Sequence, residues 1–212
     1  MNIADPSNFV TNIIYSAVSF FLAIKLIILC RENPRRSIRY WACFFIFAGF
    51  TTLAAAFYHG SQNIFDQPVI DNLKKTYQIG AGFQSFFVVL AIIHVHFRDS
   101  VIKWIKLTVL IKLIVYSAFI ISSLRNVIFI FFDYVPAVLF VLVIEIIYYA
   151  KTRSVSSRYI IYGMVMMFIG VAVQRSDFDP FQYLNNDDLF HLINTFSMVL
   201  LYKGGVLFKD KS

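Results

Sequence analysis

Apolar residues come along this chain in seven blocks of roughly twenty, separated by short polar links. They run from Phe9 to Leu29, Arg39 to Gly60, Lys75 to Phe97, Lys103 to Ser123, Val127 to Ala150, Ser157 to Gln174 and Asp187 to Phe208. As helices rising about 1.5 Å per residue, such blocks match a hydrocarbon core about 30 Å thick. They are apolar most of the way round rather than along one stripe, unlike the helices of a soluble bundle. The links carry breakers: Pro34 in the basic turn Arg31 to Arg36, Pro68 in the polar stretch Ser61 to Leu73, and Pro180 before the last block. Arg125-Asn126 reads as a tight turn, and Lys151-Thr152-Arg153-Ser154 as the lead into the sixth block. The pattern predicts an all-α membrane protein, a seven-transmembrane helix bundle forming one domain over residues 1–212.

Composition agrees. The chain is 59% hydrophobic with a mean hydropathy of +0.70, against about half apolar in a soluble domain. Met1 to Asn8 is polar and acidic, without a basic leader region, so the first block is expected to stay as a span. Cys30 and Cys43, both at predicted membrane ends, suit neither a disulfide framework nor a CxxC site, and packing is their expected role.

Charge sorts the two ends of the blocks. Thirteen basic residues follow the odd-numbered blocks (Arg31, Arg35, Arg36, Arg39, Arg98, Lys103, Lys106, Lys151, Arg153, Arg158, Lys203, Lys209 and Lys211), against four on the other side (Lys74, Lys75, Arg125 and Arg175). By the positive-inside rule the carboxyl terminus is expected to be cytoplasmic and the amino terminus outside or lumenal. The net charge of +7 then reflects topology and attraction to anionic lipid, and calls for no nucleic-acid partner. Oligomeric state is not legible.

Candidate chemistry gathers where the last block opens, at Asn185-Asn186-Asp187-Asp188-Leu189-Phe190-His191. Asp187 and His191 are four apart and share a helix face. His59 ends the second block on the same side of the membrane. Ionisable groups at such depth are costly unless paired, hydrated or metal-bound. Imidazole and carboxylate are zinc ligands, and a catalytic zinc takes three protein ligands plus water. His59, Asp187 and His191 are therefore the expected metal set, with Asp188 in reserve and Gln174 and Asn186 placed to orient a ligand. Asn186 or Asp187 also suits the cap of the last helix.

Elsewhere, His94 and His96 read as interfacial on the basic side. Lys25 and Glu145 are expected to reach the inner surface, and Lys112 to pair with Asp133 or Glu145. A transporter using Lys112 and Asp133 is a further reading. A retinal protein fits less well, because Lys203 falls near the inner end of its block.

Two short stretches carry a resemblance. Ala55-Ala56-Phe57-Tyr58-His59 resembles the S-x-x-x-H stretch of the CREST superfamily, and Asp187-Asp188-Leu189-Phe190-His191 resembles its H-x-x-x-H. That superfamily includes the alkaline ceramidases and the progestin/adipoQ receptors. Asn186 to His191 also resembles a bacterial branch of seven-span proteins near it. The resemblance implies seven spans, zinc held by His59, Asp187 and His191, and hydrolysis of a lipid amide or ester. Asp71, or else Asp66, would be the assisting carboxylate. Here Ala55 stands at the family's Ser position and Asp187 at its first His. On this reading the metal acidifies its water, and Asp71 or Asp188 accepts the proton. The rival reading keeps the fold and a membrane-lipid ligand without the chemistry, as a sensor or receptor, which the missing Ser favours.

Overall fold

A computed structural model describes residues 3–122, 128–176 and 184–211. These form seven α-helices: α1 (Pro6–Glu32), α2 (Arg36–Gly60), α3 (Gln67–His96), α4 (Asp99–Ile121), α5 (Ile128–Thr152), α6 (Val155–Gln174) and α7 (Asn186–Gly205). The described residues are thus all-α, and six of the helices, α1 to α6, are long and apolar enough to cross a membrane, as in a multi-pass integral membrane protein. The seventh corrects the expected pattern. It is a helix of 20 residues, but Asp187, Asp188, His191, Asn194 and Ser197 leave it short of the apolar content of the others.

Local chemistry sets the helix ends. Asp5 caps α1, its carboxylate accepting from the Asn8 N–H at 3.2 Å, and Pro6 occupies the first turn, where no N–H is needed. The same preference moves the start of α3. The polar stretch to Leu73 reads as a link, yet the helix begins at Gln67 with Pro68 in its first turn. The α5–α6 turn uses Arg153 in the left-handed conformation, φ 52°, and its N–H donates to Tyr149 O at 2.9 Å. Arg125-Asn126 and the acidic link Asp177 to Pro180 lie outside the described residues.

Packing closes a ring. α1 lies on α2 and α7, α2 on α3, α3 on α5, α5 on α6, and α6 on α7; α4 stands outside, against α3 and slightly α5. Close approach needs small residues, as in membrane helix pairs generally. A Cβ on Gly163 of α6 would lie 2.6 Å from Leu201 Cδ2 of α7, and one on Gly205 would lie 2.1 Å from the Trp41 ring. Trp41 donates to Leu201 O at 3.1 Å and meets the rings of Phe44, Phe45 and Phe208.

Two ring helices are turned inside out relative to a soluble bundle. On α1 the buried face holds Asn8, Thr11, Asn12, Ser16 and Ser19, while Val10, Ile14, Phe21, Ile24 and Ile28 are exposed. On α7 the buried face holds Asp188, His191, Asn194 and Ser197, while Leu192 and Phe196 are exposed.

Candidate functional site

The two polar faces meet at the start of α1 and α7. Asn185 caps α7: its side chain accepts from the Asp188 N–H at 3.0 Å, and Asp188 Oδ2 accepts from the Asn185 N–H at 3.0 Å. This is a reciprocal capping box. Thr11 of α1 donates to the other Asp188 oxygen at 3.2 Å. The fully buried Asp188 therefore sits where a helix N-terminus favours negative charge. The cap falls on Asn185 and Asp188, not on Asn186 or Asp187. Asn186 instead donates to Ser176 O.

Beside this seam lies a cavity of about 340 Å³ in the middle of the ring. All six ring helices line it and α4 does not. His59, Asp187, His191 and Gln174 line one end, with Asn8 and Asn12 of α1. Val135, Val138, Met167, Phe168 and Val171 make much of the rest apolar. The expected histidines and carboxylate thus face one space. The second and seventh helices touch at the opposite end, through Trp41 and Leu201; at this end α1 lies against both and supplies Asn12 to His191.

Asn12 is the residue that sequence reasoning missed. Its Nδ2 lies 3.0 Å from His191 Nε2 and donates to Asn8 O at 2.9 Å. A backbone carbonyl only accepts, so the amide is fixed with Nδ2 on that side, and His191 Nε2 accepts. A neutral His191 then carries its proton on Nδ1, which is buried without a partner among the described residues, as is Asn12 Oδ1. Gln174, expected as an orienting residue, donates to Asp187 Oδ1 at 2.8 Å. The signal for Asn12 was on the page as a helical stripe, Asn8, Thr11, Asn12, Ser16 and Ser19, in an otherwise apolar block.

Among the described residues no group of three His, Cys, Asp or Glu is gathered closely enough to hold an ion. Amide N–H donors also engage two of the atoms a metal would need, His191 Nε2 and Asp187 Oδ1. Neither expected proton acceptor lines the cavity. Asp188 belongs to the cap, and Asp71 takes a bond from Gln67 at 3.0 Å on the first turns of α3. The arrangement offers hydrogen bonds at one end of an apolar space.

Two other polar clusters are resolved by pairing. Lys112 of α4 lies 3.1 Å from Asp133 of α5 and donates to Asp133 O and to Ser85, each at 3.0 Å. Ser85 also donates to Asp133 at 2.5 Å. Glu145 is taken neither by Lys112 nor by the surface: it lies 2.8 Å from His96 of α3, their side chains 1% and 6% exposed.

The chain belongs to a family of unknown function (DUF6962), whose model matches residues 7–210. Searches of curated proteins and of solved structures give no match, and the family match carries no tie to the CREST superfamily.

Proposed function

We propose that this protein is a seven-span membrane bundle that binds an amphiphilic molecule in its central cavity, as a sensor or receptor. The observation that carries this reading is the cavity itself, bounded by six helices, apolar along most of its wall, with His59, His191, Asp187, Gln174 and Asn12 collected at one end. Its volume of about 340 Å³ lies within the range of small-molecule sites. An acyl chain fits the Val, Met and Phe wall, and a head group with both donor and acceptor fits the polar end. A seventh crossing is supported by the burial pattern of α7: the residues that lower its hydropathy face inward, and Leu192 and Phe196 face outward. The charge count supports a cytoplasmic carboxyl terminus, which puts the polar end of the cavity in the outer half of the bilayer.

The test is titration of purified protein with a fluorescent long-chain acyl amide, with Ala55→Phe as the filled-cavity control. Saturable binding that the control loses supports the reading; equal signal from both proteins removes it. The second reading, a metal-dependent hydrolase of a lipid amide or ester, is favoured by His59, Asp187 and His191 lining one space. It requires stoichiometric zinc in the purified protein, lost in His191→Ala. Metal analysis decides between them.

A further inference from the structure

We propose that a second cavity, at the opposite end of the bundle between α1 and α2, holds the phosphate of an anionic membrane lipid. It has a volume of about 370 Å³ and is lined by Arg31 and Arg39, by Cys30 and Cys43, and by apolar side chains including Ile27 and Ile46. No carboxylate lines it.

Four arginines flank the α1–α2 turn, and two are already engaged. Arg35 donates to Phe208 O at 2.5 Å, and Arg36 lies 4.0 Å from Asp99. The exposed side chains of Arg31 and Arg39, which line the cavity, have no hydrogen-bond or ion-pair partner among the described residues. Arg31 in the last turn of α1 suits the dipole there. Arg39 in the first turn of α2 does not: that turn holds no acidic residue, and its dipole end is itself positive. Asp210 of the carboxyl-terminal tail neutralises only the Arg36–Ser37 side, accepting from those N–H groups at 2.7 and 3.1 Å.

The leading N–H groups of α2 are taken by Asp210, so the two guanidiniums make the oxyanion site, and guanidinium matches phosphate in a bidentate manner. The apolar part of the cavity chooses the source of that phosphate. Ile27 and Ile46 continue the site toward the exposed Ile24 and Ile28, a path for an acyl chain that a free anion would not use. Basic pockets between spans on the cytoplasmic side bind anionic head groups in just this setting.

The test uses the full chain in non-ionic detergent with phosphatidylglycerol and phosphatidylcholine as probes. By native mass spectrometry, Arg31→Gln with Arg39→Gln should weaken phosphatidylglycerol retention about tenfold. The control pair Arg98→Gln with Lys103→Gln removes equal charge and should change it by less than about twofold. Equal losses in both pairs overturn the proposal, since net charge alone would then explain binding. A second readout needs no variant, because the half-buried thiols of Cys30 and Cys43 flank the site. N-ethylmaleimide should alkylate them about tenfold more slowly in phosphatidylglycerol nanodiscs than in phosphatidylcholine nanodiscs, and equal rates overturn it. Protection by inorganic phosphate in phosphatidylcholine nanodiscs also overturns it, assigning the site to a free anion. The site is remote from the His59 cavity, so either proposal can fail while the other stands.

Discussion

Each end of this bundle buries imidazole and carboxylate, and the two ends treat them differently. At the basic end His96 and Glu145 meet directly at 2.8 Å, under the ring of Tyr148, 4.4 Å from that of His96. The tail seals the place: Lys211 donates from its backbone to His94 O at 2.9 Å and from Nζ to His96 O at 3.0 Å. At the other end His191 and Asp187 face one cavity without pairing. An amide answers each of them, Asn12 for His191 and Gln174 for Asp187. The direct pair lines neither cavity, and its remaining atoms, His96 Nδ1 and Glu145 Oε2, are buried without a hydrogen-bond partner among the described residues. Groups held apart by neutral amides keep hydrogen-bonding capacity beside an open space. The contrast separates a histidine closed into a pair from one that lines a cavity.

The largest effect is expected at the sealed end. Glu145→Ala leaves His96 buried without its carboxylate, which should cost about 3 kcal/mol or more of stability. The check is chemical unfolding in mixed micelles. A double-mutant cycle with His96→Ala should return a coupling of at least about 1 kcal/mol, and an additive result would mean the pair is not coupled. Binding of the acyl amide probe should not change. Next comes Asn12→Leu at the open end, which removes its buried contacts to Asn8 O, Asn8 Oδ1 and His191 Nε2 and strands the last. A loss of about 1–3 kcal/mol is expected, together with weakened probe binding. A stability loss with binding intact would make Asn12 a packing residue and blur the distinction between the two ends.

Much of the fold was legible because hydrophobic blocks of membrane length leave few alternatives. Helix order followed from them, as did a partner for Lys112, since a lone charge in a span would be costly; of Asp133 and Glu145, the structure gives it Asp133. The boundary of α3 was misplaced because Pro68 reads equally as a breaker in a link and as a first-turn residue. His59, Asp187 and His191 were read as one metal site because each stands where an apolar segment ends or opens, and they line one cavity. What joins them was not legible. Gln174 was read as an orienting residue, but Asn12 is neutral, so no charge argument singled it out, and reading block by block passed over the stripe on α1. The Glu145 partner was missed for a related reason: His94 and His96 were judged against each other rather than against a carboxylate 49 positions away.

Filling the open cavity is the next step down. Ala55 lines it, and Ala55→Phe should lower probe affinity about tenfold, or about 1.4 kcal/mol, while changing unfolding by less than about 1 kcal/mol. Stability lost with no change in affinity would place the probe elsewhere.

The smallest effect tests whether the sealed end is held by charge or only by shape. Asp210 reaches back from beyond α7 to the first turn of α2, where Arg35 supplies no side-chain cap. Its carboxylate accepts from the Arg36 and Ser37 N–H groups and from the Ser37 hydroxyl. Asp210→Asn keeps the shape and one acceptor oxygen but removes the charge that the helix N-terminus favours. The expected loss is about 0.5–1 kcal/mol, shrinking as salt is raised because the site is only half-buried. Unfolding midpoints at low and high salt measure it. A loss independent of salt would mean that geometry rather than charge ties the tail down. Lys211, which donates to the last carbonyls of α3, would then be the stronger of the two ties.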